Sequence, residues 1–451
     1  MAGRTQVVLV PAPFQGHLTP MMELGSVLQS RGFSIVVAHA KLNSPNPCNH
    51  PDFIFLPVSN GLSDSETTDT TRNLFALVLD INLNCKEPLQ DSVAQVMAQR
   101  GPQDEVACII HDSLMYCVVD VANHLKLPNI VFPTSSAISF LTYSNFTRLQ
   151  RQGIIPLKDS NKLLDLVPDP DLHPLRFKDL PVSKFGPLGD LLQLIEIQCR
   201  TKSSAIIWKT MYNLEHQPLA KLRQHFQVPI FSVGPLHKFA AASSSSLLEE
   251  DGSSILWLDK QAPGSVLYVS LGSLASVDEN ALAEMAWGLA NSHRPFLWVI
   301  RPGSISGSQW TELLPENFDE VVEGRGYVVK WAPQKQVLAH KAVGGFWSHG
   351  GWNSTLESLS EGVPMICWPC FGDHNVIARY LSHVWGVGIE LEQEMERGKI
   401  ERAVRALMVD EEGKVMRTRA MDIKEKVEIS VNEGGSSHKS LDELIKFISL
   451  L

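Results

Sequence analysis

The chain has 451 residues, of which 44% are apolar and 20% charged, and its formal net charge is −10. That length exceeds what one hydrophobic core supports and predicts more than one domain. The acidic balance, without a Lys/Arg cluster, argues against a nucleic-acid partner, and no apolar run reaches the ~20 residues of a membrane span.

In chain order, short β-branched runs alternate with longer amphipathic stretches. QVVLV (6–10) predicts a strand, and PMMELGSVLQSRG (20–32) predicts a helix that ends at Gly32. Thr19 is the expected cap of that helix and Pro20 its opening residue. FSIVVAHA (33–40), VACIIHDS (106–113), NIVFPTS (129–135) and SAIIWKT (204–210) predict further strands, each feeding a polar turn. AAASSSSLLEEDGSS (240–254) lacks periodicity and reads as an exposed, solvated linker. The pattern then restarts with SVLYVSLGS (265–273), a helix around 279–292 and PFLWVI (295–300). GYVVKWAPQ, GGFWSHGG, VPMICWP and VGIEL follow as strand-plus-turn units, and HKSLDELIKFISLL closes the chain as an amphipathic helix packed back on the body. The expected class is α/β, with two Rossmann-like domains whose parallel sheets face a cleft. Their expected extents are 1–239 and 255–430, joined by the 240–254 linker and followed by a C-terminal helix, 431–451.

Seven cysteines at irregular spacing argue against a disulfide framework and for a reducing compartment. The opening MAGRTQVVLVPAPFQGH does not read as a signal peptide, because Pro11 and Pro13 break its short apolar run. A cytoplasmic monomer is the expectation. Cys367 and Cys370 form a C-x-x-C, but it closes an apolar run instead of opening a helix, so no redox role follows. PDPD (168–171) contains a D-x-D in a proline-rich stretch and reads as a surface loop.

The chemistry concentrates in polar, glycine-rich turns behind the predicted strands, where parallel sheets bind their ligands. In SHGGWNSTLES (348–358) a strand gives way to two glycines and a helix start. Glycines let the backbone approach an anion, and the N–H groups of a first helical turn suit a phosphate. His349, Asn353 and Ser354 add side-chain donors, unless Asn353 or Ser354 merely caps the helix. Trp331 stands at a strand end where an indole can stack on a flat base, with Gln334 beside it. Glu357 is a carboxylate suited to ribose hydroxyls, and Asp373 and His374 offer an acceptor and a donor to a sugar.

Taken together, WAPQKQVLAHKAVGGFWSHGGWNSTLESLSEGVPMICWPCFGDH (331–374) resembles the 44-residue signature of plant family-1 UDP-sugar glycosyltransferases, and the likeness extends through the chain. The N-terminal PAPFQGHLTPMM is similar to the subgroup called the 76 group. The resemblance implies the two-domain GT-B fold, with the UDP-sugar held mainly by the C-terminal domain. It implies that Trp331 stacks on uracil, with Ala332 beside it in the nucleotide site, that Gln334 contacts the nucleoside and that Glu357 binds the ribose. His349, Asn353 and Ser354 would hold the diphosphate, helped by Ser273, while Trp352, Asp373 and His374 would face the sugar. Two positions depart from the common pattern: Ser348-His349-Gly350-Gly351 replaces Thr-His-Cys-Gly, and His374 stands where glucosyltransferases usually have Gln.

His17, in the PAPFQGHLTP turn, then becomes the expected general base, because a neutral hydroxyl is a poor nucleophile and an imidazole suits the task near neutral pH. Asp112 is its expected orienting partner, as at the matching place in the family, and His111 is expected to be structural because neighbouring strand residues face opposite ways. The expected activity is inverting transfer from a UDP-sugar to a hydroxyl of a small, mostly apolar acceptor such as a phenolic, flavonoid, terpenoid or hormone, forming a β-glycoside. UDP-glucose is the expected donor, with UDP-galactose or a UDP-pentose left open by His374. The UDP-sugar is a co-substrate, and neither a cofactor nor a metal is expected. Acceptor-pocket segments are expected at 60–75, 132–143 and 150–200, with Phe14, Phe75, Phe140 and Tyr143 as aromatic walls or core residues. Two other classes fit the residues less well. A silent UDP-sugar-binding protein is disfavoured by the presence of His17 and Asp112, and an NAD-dependent oxidoreductase by the missing G-x-G-x-x-G.

Overall fold

Gln6–Val10 is buried along its whole length, as a strand covered by helices on both faces must be. It is β1 of a seven-stranded sheet in a computed structural model that describes residues 5–59, 74–99, 105–181, 189, 191–195, 202–240, 246–307, 310–392 and 394–451. The other strands are β2 (Ser34–Ala40), β3 (Ile54–Val58), β4 (Val106–Asp112), β5 (Asn129–Phe132), β6 (Ala205–Trp208) and β7 (Ile230–Ser232). All pair in parallel, in the order β3-β2-β1-β4-β5-β6-β7.

A second parallel sheet is built from β8 (Val266–Ser270), β9 (Phe296–Val299), β10 (Gly326–Val329), β11 (Val343–Ser348), β12 (Met365–Cys367) and β13 (Gly388–Glu390). Its order is β10-β9-β8-β11-β12-β13. The chain divides accordingly into two units: Met1–His173, Val182–Leu247 and Ile429–Leu451 form one, and Pro174–Pro181 with Leu248–Glu428 the other. Each is an α/β, Rossmann-like sheet, in keeping with the sequence pattern.

β3 and β7 were not read from the sequence. Both are sheet edges: β3 carries Pro57 and buries only Val58, and β7 is three residues long. An edge strand needs no continuous apolar run and tolerates proline, so it leaves a weak periodic signal.

Three further stretches bear on the sequence reading, and the first is a correction. Asp169 of the PDPD stretch is buried rather than on the surface and pairs with Arg148, while Asp171 pairs with Lys221 at 2.8 Å. An acidic side chain is held inside only by such a partner. The LLEEDG stretch is largely exposed and contains the division between the units, and its end is tied down: the Asp251 N–H donates to the Trp331 carbonyl at 3.0 Å, and Asp251 Oδ1 accepts from Ser253 N at 2.9 Å. The 174–181 stretch, expected within the 1–239 domain, belongs to the second unit, where Arg176 and Lys178 each lie 2.8 Å from Glu390.

The C-terminal helix Ser436–Ile448 buries Leu441, Leu444 and Ile448 in one core with Val7, Leu9 and Ile207 of the first sheet. Ser437 Oγ donates to the Gly234 carbonyl at 2.7 Å, and Arg31 pairs with Asp442 at 2.8 Å. The last residues of the chain thus complete the core that its first strand begins. Leu444→Ala, at a fully buried position, should lower the unfolding free energy by about 2–5 kcal/mol, measured by chemical denaturation.

Candidate functional site

In a doubly wound sheet the ligand crevice lies beyond the carboxyl ends of the two strands at which the order reverses. Those strands are β1 and β4 in the first sheet and β8 and β11 in the second. His17, Asp112, Ser273 and His349 stand at or just beyond the ends of these strands.

In the first unit, Val10 lies in register with His111, so the chain leaving β1 turns beside Asp112, the last residue of β4. Phe14 is extended at φ −126° and ψ 141°, and the helix begins at once, spanning Gln15–Ser30. The sequence expectation placed this start at Pro20, five residues later. Instead Pro20 lies inside the helix, and Thr19 is no cap but accepts from Gln15 Nε2 at 2.6 Å. Pro20 cannot donate to the carbonyl four residues back; burial of Leu18, Met21 and Met22 outweighs that loss.

The early start puts His17 in the first turn, its N–H donating to the Phe14 carbonyl at 2.9 Å. His17 Nδ1 is 2.8 Å from Asp112 Oδ2. Asp112 is fully buried, and its Oδ1 accepts from Leu114 N at 2.8 Å. A carboxylate at Nδ1 makes that nitrogen the donor, which puts the lone pair of the neutral ring on Nε2. The imidazole keeps 27% side-chain exposure, so it is oriented from beneath and accessible from above. Thr134 Oγ1 also lies 2.8 Å from Nδ1. Sequence reasoning did not single out this residue, although β5 neighbours β4 and Thr134 stands in the turn behind it. His111 is buried, its Nδ1 donating to the Asp112 carbonyl at 2.9 Å, and burial holds its pKa below the usual imidazole value.

In the second unit, Ser348 closes β11 in register with Ser270 of β8 and Cys367 of β12. The three turns that follow are therefore adjacent. A Cβ on Gly272, beside Ser273, would lie 2.5 Å from His349 Cε1, and one on Gly351 would lie 2.4 Å from His349 Nε2. The His349 ring is thus packed between two glycine backbones. Gly350 has φ +85°, and a Cβ there would meet Cys367 Sγ at 2.6 Å, which fits glycine at this departure from the family pattern.

The helix Trp352–Ser360 starts from Gly351, with no side-chain cap, so neither Asn353 nor Ser354 fills the capping role considered for them. Ser354 and Glu357, three apart, share one face of it. Gln334 Nε2 donates to both, at 3.0 Å to Ser354 Oγ and 2.7 Å to Glu357 Oε2. Gln334 opens the helix Gln334–Ala339, directly after Trp331, Ala332 and Pro333; Ala332 is buried and Trp331 half-buried. Tyr268, which sequence reasoning missed, donates to Gln334 Oε1 at 3.3 Å.

His374 is buried, with its ring 4.8 Å from that of His349 at 82°. Burial lowers the His349 pKa to about 4, and burial together with neighbouring His349 holds His374 well below the usual value. Both imidazoles are neutral at pH 7. Asp373 precedes the helix His374–Arg379 and is half-buried, as are Asn353 and Ser273. Trp352 is buried, 6.2 Å from the Trp385 ring. Direct contacts thus join Gln334, Ser354 and Glu357 in one group and His349 with His374 in another, while the remaining candidates stand in the same turns.

The acceptor-side readings divide. Residues 60–73 lie outside the described residues. Phe14 and Phe140 are core residues, Phe140 packing 5.2 Å from Trp208, whereas Phe75 and Tyr143 are half-buried. Among the described residues no group of three or more His, Cys, Asp or Glu is arranged to hold a metal ion, and no helix is long and apolar enough to cross a membrane.

Residues 245–426 match the family described as UDP-glucoronosyl and UDP-glucosyl transferase. Over nearly the whole chain the sequence is 50% identical to UDP-glycosyltransferase 76E1 of Solanum lycopersicum, covering 99% of this chain and 93% of that protein. It is 48% identical to flavonol 3-O-glucosyltransferase UGT76E12 of Arabidopsis thaliana, covering 99% and 98%. Among solved structures it resembles Phytolacca americana UGT2 complexed with UDP-2fluoro-glucose and pterostilbene, with a TM-score of 0.81, 27% identity and 99% of each chain covered.

The neutral imidazoles carry a pH dependence. An unfolded chain protonates His349 near pH ~6.5, the folded protein only near about 4. Between those values the unfolded state binds more protons, so stability falls as pH drops from 6.5 towards 4. His349→Gln should flatten that slope by up to one proton, measured by denaturation at a series of pH values.

Proposed function

This chain belongs to the UDP-glycosyltransferase family, and from that premise we propose that it transfers a sugar, with inversion, from a UDP-sugar to a hydroxyl of a small apolar acceptor, with His17 as general base. The observation that carries the reading is the 2.8 Å contact between His17 Nδ1 and a fully buried Asp112. The acceptor hydroxyl gives its proton to His17 Nε2 as its oxygen bonds to the anomeric carbon. The bond from that carbon to the diphosphate oxygen breaks, and UDP leaves with the electron pair. Asp112 accepts from Nδ1–H and stabilises the imidazolium that forms. One displacement turns an α-linked donor into a β-glycoside.

The donor is assigned to the second unit, with Trp331 and Ala332 at the base, Gln334 and Glu357 at the nucleoside and ribose, and Ser273, His349, Asn353 and Ser354 at the diphosphate. Trp352, Asp373 and His374 are assigned to the sugar. The N-terminal end of the Trp352–Ser360 helix offers about half an elementary charge to the departing diphosphate, so no metal ion is assigned a role. UDP-glucose is the preferred donor, supported by the naming of the 48%-identical relative as a flavonol 3-O-glucosyltransferase. That name, and the pterostilbene in the Phytolacca complex, support a flat polyphenolic acceptor. We assign the protein to the cytoplasm.

A second donor reading, UDP-galactose or a UDP-pentose, is left open by His374, which stands where glucosyltransferases usually have Gln. Competition among equal UDP-glucose, UDP-galactose, UDP-xylose and UDP-arabinose, read by mass spectrometry, decides between them. His374→Gln should raise the share of glucoside, and an unchanged donor ratio would remove His374 from donor selection.

His17→Ala should lower kcat by about 10²–10⁴-fold with a flavonol acceptor, while UDP binds within about twofold of wild type by calorimetry. Near-wild-type turnover would remove His17 from the base role.

A further inference from the structure

Tyr268 is the one hydroxyl-bearing aromatic in the interior of β8, a strand flanked on both sides by β9 and β11. Its ring needs no hydroxyl to be there. It lies in register with Phe346 of β11, and the two rings stack with centroids 4.9 Å apart at 17°. A phenylalanine would bury the same apolar surface without taking a polar group out of water, which costs free energy unless the group is hydrogen-bonded. The residue is 1% exposed, and burial raises its pKa, so the phenol stays protonated and acts as a donor. Its proton is directed at Gln334 Oε1, 3.3 Å away.

That direction has a consequence for the amide. With Oε1 turned to a phenol donor, the NH2 group must face the other way, and there it donates to Ser354 Oγ and Glu357 Oε2. Gln334 is a flexible side chain whose two ends are nearly isosteric and opposite in hydrogen-bonding sense. A donor on one side and a carboxylate on the other fix its rotation and, through it, the position of the carboxylate. The phenol is itself anchored by the Phe346 stack in the middle of the sheet. The relay therefore runs from the rigid core to Gln334 and from there to Glu357.

We propose that Tyr268 is a positioning residue of the nucleotide site, holding Gln334 in the amide orientation that presents Glu357 to the ribose of a uridine nucleotide. The proposal rests on the donor assignment made above for Gln334 and Glu357. It concerns binding of the nucleotide and not the proton transfer at His17, so its signature is confined to the donor.

The test is Tyr268→Phe, which keeps the ring and its stacking, with UDP affinity measured by calorimetry and the donor KM and kcat by steady-state kinetics. Loss of one net hydrogen bond predicts a UDP Kd and a donor KM raised about three- to tenfold, with kcat changed less than about twofold. Because Tyr268 acts through Gln334, Tyr268→Phe made in a Gln334→Ala background should weaken UDP binding no further. Unaltered UDP affinity in Tyr268→Phe would overturn the proposal. So would an equal loss in both backgrounds, which marks a general packing effect, as would a fall in kcat with an unchanged KM. Failure of the wild-type protein to bind UDP would instead sink the donor assignment itself.

Discussion

Every strand of each sheet runs in one direction, and each sheet reverses its strand order once. At the reversal the connecting helices leave towards opposite faces, so the turns behind the two central strands are left with open backbone above them. That constraint decides where each unit carries its chemistry. In the first it sets the turn after β1 against Asp112 at the end of β4; in the second it sets the Gly272 turn against His349. The side chains there are then held by close contacts: 2.8 Å from imidazole to carboxylate in one, and glycine backbones against an imidazole in the other.

The residues at those reversals were legible because each follows an apolar run long enough to be read as a central strand. Asp112 and His349 are legible that way, whereas Glu357 stands further on, inside the helix Trp352–Ser360. Their family pattern added roles that spacing alone does not supply. What escaped has a physical cause in each case. The start of the first helix escaped because Pro20 reads locally as an opening residue, whereas burial of one helical face extended the helix past it. Thr134 escaped because its importance is a matter of adjacency between β4 and β5, which pairing creates and sequence does not display. Tyr268 was inside a stretch read as a strand and was passed over as one more apolar residue. Its hydroxyl was the available signal, since a buried phenol in a central strand requires a partner.

The two units solve different electrostatic problems. In the first, a buried carboxylate is tied on both oxygens, by Leu114 N–H and by His17, and so lies against the one ring that becomes positive on the proposed reading. In the second, burial strips charge from His349 and His374, and neither the SHGGWNS turn nor the LGS turn contains a lysine or arginine. On the proposed reading, the diphosphate there meets neutral donors and a helix terminus in place of a full cation.

That difference bears on turnover. UDP carries more negative charge than the UDP-sugar from which it is released, so any positive site binds product in preference to donor. A fixed cation exerts that preference with a whole charge, and a helix terminus with about half of one. On the proposed reading, a site of neutral imidazoles, amide, hydroxyls and backbone N–H groups therefore stabilises charge as it develops on the leaving oxygen while holding the departed nucleotide less firmly. The same neutrality makes geometry carry the recognition, because a dipole misaligned by a rotated amide loses its effect where a point charge would not. Rigid support beneath Gln334 and His349, from a stacked phenol in one case and glycine backbones in the other, is what recognition by dipoles requires.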